Sequence, residues 1–138
     1  MTAPRLPVAL AAASVGGVLG SLARYGLAES FPVTHTFPWT VFWINVVGSA
    51  ALAGVPALRA VRRTPWLGVF LGTGILGGFT TMSAASTQTV TLLETGHDLT
   101  AGLYVGGTLV AALGAVWLVD RRVSPALQRA AEASEIDE

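Results

Sequence analysis

The sequence predicts an all-α membrane protein with four transmembrane helices, the third of them broken. Three observations carry this. Charges sit at the edges of long apolar runs: Leu6 to Ala23, Ser30 to Leu58, Thr64 to Leu93 and Leu99 to Val119 hold no Asp, Glu, Lys or Arg. Runs of that length suit helices crossing a bilayer. Of the 138 residues 52% are hydrophobic and 12% charged, with no lysine, whereas about a quarter of residues are charged in a soluble domain. The third run contains Gly72-Thr73-Gly74-Ile75-Leu76-Gly77-Gly78-Phe79-Thr80-Thr81-Met82-Ser83. Glycine lowers helix stability, and at membrane depth a freed backbone group must find a partner inside the protein or line a polar cavity.

Helix 1 is expected from about residue 7 to 29. Its apolar run continues past any cleavage point near Ala11-Ala12-Ala13, so it reads as a helix rather than a cleaved signal peptide. Gly16 and Gly20, four apart, give it a small-residue face for close helix contact. Arg24 has two readings. It snorkels to the interface beside Tyr25, or it sets a positive potential at the mouth of an anion path.

Helix 2 is expected over 38–58, with Pro38 in its first turn where a missing N–H costs nothing. Its strongly polar residue is Asn45, either interhelical glue or an amide donor to a dehydrated anion. The basic loop Arg59 to Pro65 precedes helix 3, expected over 66–93, where Thr80, Ser83 and Thr87 recur at helical spacing. Its freed carbonyls are the type of group that ligates ions in broken transporter helices. His97 lies in the next loop with no second histidine or cysteine nearby, against a metal site there. Helix 4 is expected over 99–119, with Gly102 and Gly106 as a second close-packing pair and Tyr104 and Thr108 on one face. Residues 1–120 thus form the transmembrane domain, and 121–138 a cytoplasmic tail lying free in solution.

Several functions are excluded. Without cysteine there are no disulfides or thiolate sites, and zero net charge with a mixed-sign tail gives no basis for nucleic-acid binding. Paired in-membrane carboxylates, a serine–histidine set and a phosphate loop are all missing, so the chain does not read as an enzyme. Hydroxyl and amide donors can replace an anion's hydration shell. The residues by themselves lead to an anion or small polar solute and do not name it.

The motifs together resemble the small bacterial fluoride channels, the CrcB/Fluc family. Similar stretches are Gly16-Gly17-Val18-Leu19-Gly20 followed by Ala23-Arg24-Tyr25, and Asn45-Val46-Val47-Gly48-Ser49 with Gly54. The most specific is Gly74-x-x-Gly77-Gly78-Phe79-Thr80-Thr81, and Tyr104 stands four before Thr108. The resemblance implies an antiparallel dimer of four-helix subunits with two narrow pores, performing passive fluoride export across the cell membrane. It implies a structural Na+ at the dimer centre, held by the carbonyls of Gly77 and Thr80. Asn45 would point into a pore and Ser83 would extend a polar track. Tyr104 and Thr108 would line the opposite wall, and Arg24 would lie near the aqueous vestibule.

The chain also departs from the family pattern. That pattern continues Thr-Thr-Phe-Ser-Thr-Phe-Ser-x-Glu, against Thr80-Thr81-Met82-Ser83-Ala84-Ala85-Ser86-Thr87-Gln88 here. The two pore-lining phenylalanine positions are therefore Met82 and Ala85, the threonine between them is Ala84, and the trailing glutamate is Gln88. In helix 2 the threonine four before the asparagine is Val41. Arginines are also one-sided. Arg5, Arg59, Arg62, Arg63, Arg121, Arg122 and Arg129 share the side of both termini, and Arg24 is the exception. The positive-inside rule puts both termini in the cytoplasm. An antiparallel dimer needs one subunit each way up, so the expected partner is a separate, oppositely oriented homologue, with fluoride and membrane lipid as further partners. A self-pairing channel ranks second. A four-helix small-solute or multidrug exporter ranks third, since it wants an acid deep in helix 1 and only Glu29 at its end is available. A non-conducting scaffold subunit is a variant of the first reading.

Overall fold

The computed structural model describes residues 4–32 and 37–136; the remainder of the expected loop between the first two helices, residues 33–36, and the chain ends lie outside the described residues. The elements are α1 (Leu6–Ser30), α2 (Trp39–Gly54), α3 (Arg59–Arg63), α4 (Pro65–Gly68), α5 (Gly77–Phe79), α6 (Met82–Glu94) and α7 (Asp98–Ile136). A 3-10 turn, Val55–Ala57, extends α2, and a π-helical stretch, Val69–Leu76, joins α4 to α5. Four stretches are long and apolar enough to span a bilayer: Leu6–Ser30, Trp39–Ala57, Pro65–Glu94 and Asp98–Pro125. No strand occurs among the described residues.

The third span changes neighbours half-way. Before the break it lies along α1, and after it α6 packs on α7, while α2 packs on α7 and touches both halves. Glycine makes the first contact possible. A Cβ added at Gly16 would sit 2.5 Å from the Phe70 carbonyl oxygen and 2.9 Å from the Gly74 Cα. One added at Gly20 would overlap the Ile75 carbonyl, and one at Gly78 the Gly17 carbonyl. The expected close contact at Gly16 and Gly20 is thus present, and its partner is the third span. Gly102 and Gly106 differ. Both are exposed, and nothing lies within 4 Å of an added Cβ, so this pair makes no close contact within the subunit.

The glycines remain helical, and Thr80 and Thr81 leave the helix, with φ/ψ of −74°/153° and −149°/117°. The expected end of helix 4 at Val119 is corrected: α7 runs on to Ile136. The charges from Asp120 onward mark where the chain leaves the apolar layer, not where it stops being helical. No glycine follows Gly114 to terminate the helix. Across the boundary, Arg121 lies over the Trp117 ring at 4.4 Å, and Ser124 Oγ donates to Asp120 Oδ1 at 2.7 Å. Pro125 sits inside the helix. The buried core is small, consisting chiefly of Tyr104, Ala101 and Leu92 with Phe37, Phe42 and Ala85 against it. Most large apolar side chains face outward, as lipid requires.

Candidate functional site at the broken helix

A break at membrane depth leaves backbone groups that the protein must satisfy, and here side chains from two other spans do so. Asn45 Nδ2 donates to the Thr81 carbonyl at 3.0 Å, and the Thr81 N–H donates to Asn45 Oδ1 at 2.8 Å. One amide therefore serves a donor and an acceptor of the same residue. From α1, Ser21 Oγ and Arg24 Nε both donate to the Gly78 carbonyl, at 3.4 and 3.2 Å. Thr81 Oγ1 accepts from the Ala84 N–H at 3.1 Å, so Thr81 is the N-cap of α6, and it shares a 3.2 Å hydrogen bond with Ser83 Oγ. Thr80 donates twice, through N–H and Oγ1, to the Leu76 carbonyl, each at 3.0 Å.

These bonds redirect two donors. In a continuous helix the Thr81 N–H would close on the Gly77 carbonyl and the Ala84 N–H on the Thr80 carbonyl. The first goes instead to Asn45 and the second to the Thr81 hydroxyl. Two oxygens a few residues apart, Gly77 O and Thr80 O, thereby lose their ordinary partners, and Gly77 is itself exposed on the subunit surface. Neutral carbonyl oxygens are hard ligands suited to an alkali cation.

Asn45, Gly77, Thr80, Ser83 and Arg24 thus converge on the break. Asn45 spends its oxygen and one amide hydrogen on backbone, so the interhelical role is filled, with one N–H left over. Arg24 is half-buried and anchored through Nε, which leaves its terminal nitrogens unassigned. The other expected residues form a separate group on α6 and α7. Tyr104 is fully buried, its hydroxyl donates to Gln88 Oε1 at 2.7 Å, and its ring meets Phe37 edge-on at 5.4 Å. Thr108 is half-buried and its hydroxyl donates to the Tyr104 carbonyl of its own helix. Met82 and Ala85 do not share surroundings: Met82 is 80% exposed, whereas Ala85 packs on the Tyr104 cluster.

Two participants were not picked out from the sequence in these roles. Gln88, sixteen residues from Tyr104, is its hydrogen-bond partner. The available signal was an amide among the hydroxyls of α6 and a tyrosine in the apolar part of α7. Thr81 is the hub of the break, and its place three residues before a free helical N–H marks an N-cap.

Residues 11–119 match the family model for CrcB-like protein, Camphor Resistance (CrcB), a stretch that contains every residue of the site. The chain belongs to the CrcB family. Its relatives include a fluoride-specific ion channel FluC 2 of Streptomyces avermitilis, 44% identical over 110 residues that cover 72% of this chain and 65% of that protein. A fluoride-specific ion channel FluC of Hyphomonas neptunium is 38% identical over 76% of this chain and 87% of its own length. A FluC 1 of Desulfitobacterium hafniense is 38% identical over 70% of this chain and 84% of its own. The CrcB-family chain described here is a multi-pass membrane protein whose third span is broken at Thr80–Thr81.

Proposed function

We propose that this chain is a subunit of a fluoride channel that lets fluoride leave the cytoplasm passively. The observation that carries the reading is the break itself, held open by Asn45 and Arg24 in a CrcB-family chain. The relatives' names, fluoride-specific ion channel, support the ion. Hydroxyl and amide donors along α6 and α7 supply the kind of groups that replace an anion's hydration.

The active unit is an antiparallel dimer with two pores and a structural Na+ between the subunits. What supports the cation is the pair of carbonyls, Gly77 and Thr80, that lost their helical donors. Such an ion would hold the two broken helices together by charge–dipole attraction to their carbonyls. Asn45, Ser83, Tyr104 and Thr108, with Met82 and Ala85 at the aromatic positions, belong to the pore wall, and Arg24 to its vestibule. The partner is a separate homologue inserted the other way up. The arginine asymmetry favours this over self-pairing, with both termini of this chain on the cytoplasmic side of the cell membrane. Relatives numbered FluC 1 and FluC 2 are in keeping with paired subunits.

The test is fluoride efflux from proteoliposomes holding this chain with and without its homologue, read by a fluoride electrode with chloride as the control. Fluoride efflux without chloride efflux is expected, and it should be strong only for the pair. Equal fluxes of both anions, or none from the pair, would overturn the reading.

A further inference from the structure

Where the second span ends and the third begins, the chain makes a short basic crossing, α3, with Arg59, Arg62 and Arg63 in five residues. Beside it a cleft of about 540 Å³ runs between the two spans, bounded by Leu52, Val55, Val61, Arg62, Gly72 and Thr73. Its walls are apolar apart from the Arg62 rim and the Thr73 hydroxyl. Gly72 contributes by having no side chain: an added Cβ would lie 3.4 Å from Leu52 Cδ1 and narrow the channel.

The dimensions match one membrane leaflet. From Pro65 at the start of the third span to Thr73 is a rise of at most about 12 Å, the α-helical value, since the chain turns π-helical from Val69. That is most of the roughly 15 Å from headgroup boundary to bilayer midplane. Arg62 therefore stands at headgroup level and Thr73 deep in the same leaflet. Trp66, 44% exposed, lies at the same upper level and is an interfacial anchor.

The charge at the rim is uncompensated in sequence. No Asp or Glu occurs between Glu29 and Glu94, so α3 brings three guanidinium groups to one membrane edge with no carboxylate in the 64 residues around them. Arg59 and Arg63 are four apart on one face and exposed, and Arg62 is half-buried over the cleft. Arg121, at the same edge, is committed to Trp117.

We propose that this cleft is a binding site for one anionic phospholipid, its acyl chain in the groove and its phosphate on Arg62 with Arg59 and Arg63. A zwitterionic headgroup would bring its own cation against three guanidiniums. A free phosphate would gain nothing from the apolar wall. The proposal needs the four-span membrane fold and is independent of which ion the protein conducts.

The assembled protein is exchanged into nanodiscs of phosphatidylcholine with one-quarter phosphatidylglycerol, released, and its retained lipid counted by native mass spectrometry. Phosphatidylglycerol should be enriched several-fold over its share of the bilayer. Arg62→Gln should cut that enrichment about fivefold, the worth of one basic residue at an anionic surface. Arg122→Gln, at the same edge but away from the cleft, should leave it unchanged. Leu52→Trp fills the groove with all arginines intact and should expel the lipid equally well, which covers a failure of Arg62→Gln to fold. Retention in proportion to the bilayer, equal losses in Arg62→Gln and Arg122→Gln, or displacement by millimolar inorganic phosphate would overturn the proposal. So would a disulfide from Leu52→Cys to a second subunit, since the cleft would then be covered by protein.

Discussion

Replacing Asn45 by alanine tests the account of the break most directly. The amide makes two hydrogen bonds to one backbone unit, at 3.0 and 2.8 Å. Hydrogen bonds between membrane helices average about 0.6 kcal/mol each, so the floor for losing both is about 1.2 kcal/mol. If both Thr81 groups stayed unpaired, the cost would rise to about 1–3 kcal/mol for each. The chain has an escape: the Thr81 N–H can return to the Gly77 carbonyl and straighten the helix there. Asn45→Ala is therefore expected to lose about 2 kcal/mol, between those limits. The larger consequence is functional, because the Gly77 oxygen is recaptured and one proposed cation ligand disappears. The assay is denaturant unfolding in detergent alongside fluoride efflux measured across a range of Na+. A stability loss under about 0.5 kcal/mol, the level of an uninvolved surface change, with unaltered efflux would refute the capping role.

Four other outcomes are expected. Gly20→Ala places a Cβ against the Ile75 carbonyl and should cost about 1–3 kcal/mol by forcing α1 off the third span, whereas Gly26→Ala meets nothing and should be neutral in the same unfolding assay. Tyr104→Phe removes the 2.7 Å bond to Gln88 and should lower stability by about 1 kcal/mol while keeping the fold, with reduced fluoride efflux. Met82→Phe with Ala85→Phe should raise efflux by restoring the positive ring edges an anion favours; because Ala85 packs on the Tyr104 cluster, its ring is the harder to fit, and a folded double variant with unchanged flux would count against the aromatic wall. A topology reporter on the C-terminus should read cytoplasmic in nearly all molecules, and an even split would remove the argument for a separate partner.

How much was legible in the sequence depended on whether a residue's role was local. The four spans follow from where charges stop, and the structure has four helices long and apolar enough to cross a membrane. Asn45 announced itself as the lone amide in an apolar run, although not which groups it would satisfy. Glycine was ambiguous, because identical spacing has opposite outcomes: Gly16 and Gly20 meet the third span, while Gly102 and Gly106 meet nothing in the subunit. A four-residue spacing says that a face is small and says nothing about what faces it. The glycine-rich run invited placing the break among its glycines, yet these stay helical for close approach and the break falls on Thr80–Thr81. Threonine can leave a helix there because its hydroxyl caps the next one. Loss of hydrophobicity after Val119 does not mark the end of helix 4, because hydrophobicity and helicity separate wherever a helix rises out of the membrane.

The bonds at the break also bear on the proposed second subunit. Asn45, Ser21 and Arg24 reach it from α2 and α1, and each bond they make holds a backbone group of the third span toward its own subunit. The Gly77 carbonyl is released when the Thr81 N–H goes to Asn45, and the Thr80 carbonyl when the Ala84 N–H goes to the Thr81 hydroxyl. Around them the subunit offers an exposed Gly77 and, one residue past the break, a Met82 that is 80% exposed. One broken helix can thus present at most a half-shell of oxygens to an alkali cation, too few to replace its water. Completing the shell takes a matching surface with its own break, and for two such breaks to meet at their midpoints the helices must cross at the same membrane depth. An antiparallel partner satisfies that condition, since inversion leaves the midplane in place. With seven of eight arginines on one side of this chain, the inverted partner is the part of the proposal that its own sequence resists, and a homologue of opposite bias removes the conflict.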